Sequence, residues 1–176
     1  MKGMFRTGLI LLAAAAAACA PRERTLVLLS TNDMHAKIQN FPRLAAAVEN
    51  CRDTAQLVVL VDAGDRWTGN AYVDMAATPG MPMIALMNRL GYDVATLGNH
   101  EFDYGMDRAK MVLKEADFPY VSCNWIDLRS GLRVLPSIKL FNIQGAFVAF
   151  VGITTPETFT KSTPAYFMNA KQTRYI

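Results

Sequence analysis

Gly98-Asn99-His100-Glu101-Phe102-Asp103 places an amide, an imidazole and carboxylates in one glycine-led turn directly behind the apolar run Val94-Ala95-Thr96-Leu97. That run reads as a short buried strand, so the polar group stands just beyond a strand's carboxyl end, where open α/β sheets keep their ligands. Two other runs end the same way. Leu26 to Ser30 leads into Thr31-Asn32-Asp33-Met34-His35, and Leu57 to Val61 leads into Asp62-Ala63-Gly64-Asp65. Three strand ends carrying metal-ligand residue types point to one shared site.

Working outward, helical spacing predicts helices over Phe41 to Asn50, Pro82 to Leu90 and Asp107 to Ala116, with Gly91 closing the second. Met83, Ile84, Met87 and Leu90 share one face, which reads as core rather than ligand. A further strand is expected over Phe118 to Asn124. Strands alternating with helices argue for an α/β sheet. Leu132 to Ile143 and Ala146 to Ile153 read as two strands around the turn Asn142-Ile143-Gln144-Gly145, with no helix between, which predicts a mixed sheet. From Thr154 the chain is polar and turn-like.

With 176 residues, 52% hydrophobic and 19% charged, the chain suits one globular domain and excludes a disordered or collagen-like one. The formal charge of +3 is scattered, without the basic stripe that phosphate-backbone binding needs, so no nucleic-acid partner is expected. Residues 1–20 have the layout of an export signal: a basic start, the apolar stretch Leu9 to Ala18, and small residues ahead of Cys19. Cleavage before Cys19 would leave a lipid-modified N-terminus. Cleavage after Ala20 would put Pro21 next to the cut, a poor geometry because proline has a fixed φ and no N–H. Ala16-Ala17-Ala18-Cys19 resembles a bacterial lipoprotein box, so the chain is expected to be exported, either periplasmic or membrane-anchored through Cys19. Cys51 and Cys123 are the other cysteines, and their pairing is open; Cys123 reads as a small buried residue.

Asp33 and His35 are two apart, so on an extended chain both side chains leave on one face and can chelate one cation. Asp65, on the Gly64 turn, is the natural second contributor, since a carboxylate can bridge two ions about 3.5–4 Å apart. Asn99 can offer its amide oxygen to the second ion. His100 and Asp103 share one face of a starting helical turn, where Asp103 could fix the imidazole tautomer and favour the imidazolium. The bland alternatives are solvated surface or local turn contacts for Asp33 and His35, a helix N-cap or loop aspartate for Asp65, and helix caps for Asn99 and Asp103.

These blocks resemble the successive signatures of the 5′-nucleotidase branch of the calcineurin-like metallophosphoesterases, and Thr154-Thr155-Pro156-Glu157-Thr158 is similar to a segment of that branch. The similarity runs from about Thr25 to Pro164. It implies a four-layer α/β/β/α sandwich of the metallophosphoesterase type and two divalent ions, zinc, manganese or similar. It also implies that Asp33 and His35 hold the first metal, that Asp65 bridges, that Asn99 holds the second, and that His100 with Asp103 forms the catalytic dyad. The implied activity is hydrolysis of a small-molecule phosphate ester, a 5′-nucleotide above all, by a two-metal-activated hydroxide.

Two departures stand against the family pattern. Ala36 follows the first histidine where relatives usually carry glycine. The family also completes its metal shells with downstream histidines, whereas His35 and His100 are the chain's only two. Four ligands cannot fill two shells, so residues 25–176 are expected to be the N-terminal portion of a longer catalytic domain, the sandwich incomplete. Such a chain would leave an apolar sheet face uncovered. Competing readings are a non-catalytic lipoprotein fragment, a periplasmic binding protein, and a related cyclic-nucleotide phosphodiesterase, nucleotide-sugar diphosphatase or thiosulfohydrolase.

Overall fold

Three short strands, β1 (Val27–Thr31), β2 (Val58–Asp62) and β3 (Val94–Ala95), pair in parallel in that order in the computed structural model, which describes residues 25–128 and 130–162. The expected leader, residues 1–20 with Cys19, lies outside the described residues. Parallel neighbours need a crossover between them. Here α1 (Phe41–Thr54) joins β1 to β2, and α2 (Ala71–Asp74) with α3 (Met81–Leu90) joins β2 to β3. Register runs from Val27↔Val58 to Thr31↔Asp62, so the first two strand ends finish side by side.

Local chemistry explains where these elements start and stop. Pro42 sits in the first turn of α1, where its missing N–H costs no hydrogen bond. Gly91 closes α3 with a left-handed φ of 71°, its N–H reaching the carbonyls of Met87 and Asn88. Arg52 then donates to the Leu90 and Gly91 carbonyls, both at 2.7 Å, tying the end of α1 to the end of α3. Met83, Ile84 and Met87 are fully buried with Val48, Leu60, Trp67, Phe102, Val112 and Trp125. The methionines of α3 are core, as their spacing predicts.

The region after β3 differs from expectation. Phe118 to Asn124 is not a strand. It makes one bridge, Tyr120 to Ala95, with Ala95 N–H donating to Pro119 and Val121 N–H to Ala95. Two causes act together: β3 gives way to the Gly98 turn and offers no longer edge, and Pro119 has no N–H to contribute. The chain then peels away, Ser122 N–H donating to Pro136 and Cys123 N–H to Gly152. Helix α4 (Met106–Lys114) packs Met106, Ala109, Val112 and Leu113 inward.

The stretch Leu132 to Ile143 is likewise interrupted around Pro136. It yields β5 (Leu132–Arg133), paired with β4 (Ile126–Asp127), and β6 (Ile138–Ile143), paired antiparallel with β7 (Ala146–Val151). Gln144 and Gly145 form the turn with φ of 50° and 87°, the left-handed pair that a two-residue hairpin demands. The β6–β7 hairpin is a separate two-stranded sheet, so the expected single mixed sheet is not observed. On one hairpin face Leu140, Phe147 and Val151 are 58%, 74% and 59% exposed, an uncovered apolar face of the kind expected. Cys51 and Cys123 are free thiols and half-buried, Cys123 less enclosed than its apolar neighbours promise.

Candidate functional site

The loops after β1 and β2 are zipped together by backbone. Ala63 N–H donates to Thr31, Asp33 N–H to Gly64, His35 N–H to Asp65 and Ala36 N–H to Arg66, all between 2.8 and 3.1 Å. The parallel ladder thus continues past the strands as two interlocked turns. These turns are not extended. Asp33, His35, Ala36, Asp65 and Thr68 all have φ between 44° and 70°, the left-handed region that non-glycine residues rarely enter. Asp33 and His35 therefore do not meet by strand alternation, as the two-residue spacing predicts. A left-handed turn brings them together instead, with His35 Nε2 3.7 Å from Asp33 Oδ1. Ala36 takes φ 54° and is fully buried.

The Gly98 turn closes on these loops through contacts that only glycine permits. A Cβ at Gly64 would lie 2.2 Å from Gly98 N, and one at Gly98 would lie 2.3 Å from Asp65 Oδ1. His100 N–H donates to Asp65 Oδ1 at 2.7 Å, and the His35 and His100 rings stand edge to face with centroids 4.7 Å apart. His100 Nδ1 is 2.6 Å from Asp103 Oδ2. Burial opposes charge on that imidazole, but the hydrogen bond and charge of Asp103, helped by Asp65 and Glu101, prevail and raise the His100 pKa above the ordinary histidine value. Asn99 and Asp103 stand at the two ends of the His100–Phe102 turn, Asp103 N–H donating to the His100 carbonyl, while Asn99 makes no side-chain cap bond there. Its amide is 7% exposed, and Nδ2 is buried without a partner among the described residues.

Beneath the loops lies a layer that the sequence reading assigned no role. Glu101, fully buried, accepts from the backbone N–H groups of Asp65 at 2.9 Å, Arg66 at 2.9 Å and Gly98 at 2.6 Å. Arg66, also fully buried, bonds Asp62 Oδ1 through Nε at 2.8 Å and approaches Glu101 at 3.6 Å. Burial raises the Asp62 pKa against the pull of Arg66. Thr31 Oγ1 donates to Asp62 Oδ2 at 2.7 Å. One signal was available: Glu101 and Arg66 each adjoin an aromatic, Phe102 and Trp67, inside the strand-end blocks.

The Thr154–Thr158 segment joins from the far side. Asn124 clamps Thr154 through both its backbone groups, at 2.7 and 2.9 Å, and α5 (Thr158–Lys161) ends at Ser162, whose Oγ donates to Asp103 Oδ1 at 3.0 Å.

The donor set suits a hard or borderline divalent cation: two carboxylates, one imidazole and the oxygen of an amide whose nitrogen is buried without a partner among the described residues. The set is short. Among the described residues no three histidine, cysteine, aspartate or glutamate side chains converge on one ion position.

Comparison with known proteins agrees with these blocks. The family described as calcineurin-like phosphoesterase matches residues 26–166. The chain belongs to that family. It is 37% identical over 125 residues to a 2′,3′-cyclic-nucleotide 2′-phosphodiesterase/3′-nucleotidase of Yersinia enterocolitica, covering 60% of this chain and 19% of that protein. It is 33% identical over 167 residues to the 5′-nucleotidase of Bos taurus, covering 82% and 29%. The crystal structure of the calcineurin-like phosphoesterase YfkN from Bacillus subtilis superposes with a TM-score of 0.74 at 26% identity, over 88% of this chain and 55% of that one. The fold is therefore of the metallophosphoesterase type, and the chain spans less than a third of the length of these two curated relatives. Among the described residues no helix is long and apolar enough to cross a membrane.

Proposed function

We propose that residues 25–176 form the N-terminal, ligand-bearing portion of the catalytic domain of an exported phosphohydrolase that releases phosphate from 5′-nucleotides. One observation carries this reading. The continuous chain His35, His100, Asp65 and Asp103, assembled from three strand ends, is linked by a 4.7 Å ring contact and bonds of 2.7 and 2.6 Å. Asp33 and His35 would hold one divalent ion, Asp65 both, and Asn99 the second, with further ligands from outside this chain. Bound there, two ions such as zinc or manganese supply an activated water and neutralise charge on phosphoryl oxygens.

The chain's own residues account for the rest. Asp103, accepting at Nδ1, fixes the His100 tautomer and favours its charged form, leaving Nε2 to donate to a phosphoryl or leaving-group oxygen. Relatives acting on nucleotides support the substrate class, and the Yersinia relative supports cyclic phosphodiesters as a second one. The leader, residues 1–20, would direct export, with lipidation at Cys19 tethering the protein to a membrane. The test is release of phosphate by the intact protein from a panel containing AMP and a 2′,3′-cyclic nucleotide, with Mn²⁺ or Zn²⁺ added. Metal-dependent release, abolished by Asp65→Ala, is expected; no release from any ester refutes the reading.

A further inference from the structure

Thr68 has no place among the metal-ligand residue types, yet it meets the dyad directly. Its Oγ1 donates to Asp103 Oδ2 at 2.9 Å, the same oxygen that faces His100 Nδ1. A β-branched residue seldom holds a left-handed backbone, and Thr68 does so with φ 70°. The neighbouring Gly69 explains what the turn is for. At φ 115° it lies so close to the first loop that a Cβ there would be 3.1 Å from the His35 carbonyl oxygen. The Thr68-Gly69 turn therefore touches both histidine-bearing loops at once.

A third contact locks the turn. Gly69 N–H donates to Asp74 Oδ2 at 3.1 Å, and Asp74 Oδ1 accepts from the hydroxyl of Tyr104, the residue after Asp103. Thr68, Gly69, Asp74, Tyr104 and Asp103 thus form a closed ring of hydrogen bonds and peptide links around the dyad carboxylate. Ser162 occupies the other oxygen, Oδ1. With both oxygens engaged, the carboxylate cannot rotate away from the imidazole without breaking a bond.

We propose that Thr68 is a positioning residue that orients the Asp103 carboxylate toward His100. The catalytic consequence rests on the phosphohydrolase reading above; the structural one does not. In the intact protein labelled with ¹⁵N-histidine, His100→Gln assigns the His100 ring resonances. In metal-free protein, a downfield His100 Nδ1–H resonance is expected in wild type and in Thr68→Ser. It should be lost or broadened in Thr68→Val, which keeps the shape and removes the hydroxyl. Thr68→Ala serves as a second variant, without the β-branch that a left-handed backbone disfavours. In the active protein the Val and Ala variants should lower kcat about 10- to 100-fold with KM unchanged, and Ser should restore it.

A Val or Ala variant that retains the resonance overturns the proposal, as does a Ser variant that loses it equally. A KM change without a kcat change also overturns it. If wild type hydrolyses no phosphate ester, the functional reading fails, while the resonance still decides whether Thr68 positions Asp103.

Discussion

Replacing Glu101 by glutamine should destabilise the fold by about 3 kcal/mol, although the two side chains have nearly the same shape. The oxygen Oε2 accepts from Asp65 and Gly98, and Oε1 from Arg66. Glutamine keeps one oxygen and turns the other position into a donor. In its better orientation it retains two bonds as neutral ones and sets an N–H against the Arg66 N–H. One charge-assisted bond is worth roughly 1.5–3 kcal/mol, and weakening the other two adds about 0.5–1 kcal/mol each. No charge is stranded, because Arg66 remains paired with Asp62 at 2.7 Å, so the larger cost of breaking a buried ion pair does not apply. Trp67 and Trp125 are fully buried and report unfolding by fluorescence. With a urea slope of about 2 kcal/mol/M, the midpoint should fall by about 1.5 M. A fall under about 0.3 M would refute the claim that Glu101 ties the second and third loops together.

Two other perturbations read the same loops. Gly98→Ala places a methyl 2.3 Å from Asp65 Oδ1, so Asp65 must move; Mn²⁺ affinity by calorimetry should fall at least about 10-fold, and unchanged affinity would separate Asp65 from the metal site. The raised His100 pKa makes metal-free stability pH-dependent. A raised folded-state value gives stability that is fully present below the unfolded histidine pKa, about 6.5, and is lost as pH rises through the folded-state value. The gap in melting temperature between wild type and Asp103→Asn should therefore be widest near the acid end and narrow upward; a gap constant with pH contradicts the His100–Asp103 coupling.

Elements bounded by punctuation residues were legible in the sequence. Proline and glycine mark the start of α1 and the end of α3, and apolar runs mark β1 and β2 to within a residue. The site blocks were legible too, because a strand followed by clustered polar residues is a local pattern. What the sequence hid depends on partners far along the chain. Phe118 to Asn124 has strand composition, but β3 is too short to pair with it. Asp33 and His35 meet through left-handed turns, which spacing alone does not announce. Glu101 and Arg66 look like surface charges until burial is known, and burial is a property of the assembled loops.

That hidden layer orders the sequence of causes in the site. Asp65 and His100 touch because their loops are close, and the loops are close because Gly64 and Gly98 lack side chains where a Cβ would collide. Glycine permits the approach but does not enforce it; flexible turns would separate at an entropic gain. Glu101 supplies the enforcement with three backbone bonds spanning both turns, and Arg66 anchors that carboxylate to Asp62 at the end of β2. The Asn99 side-chain nitrogen is left without a partner among the described residues, buried beside the turn. The site is thus prepared by residues that cannot themselves reach a substrate.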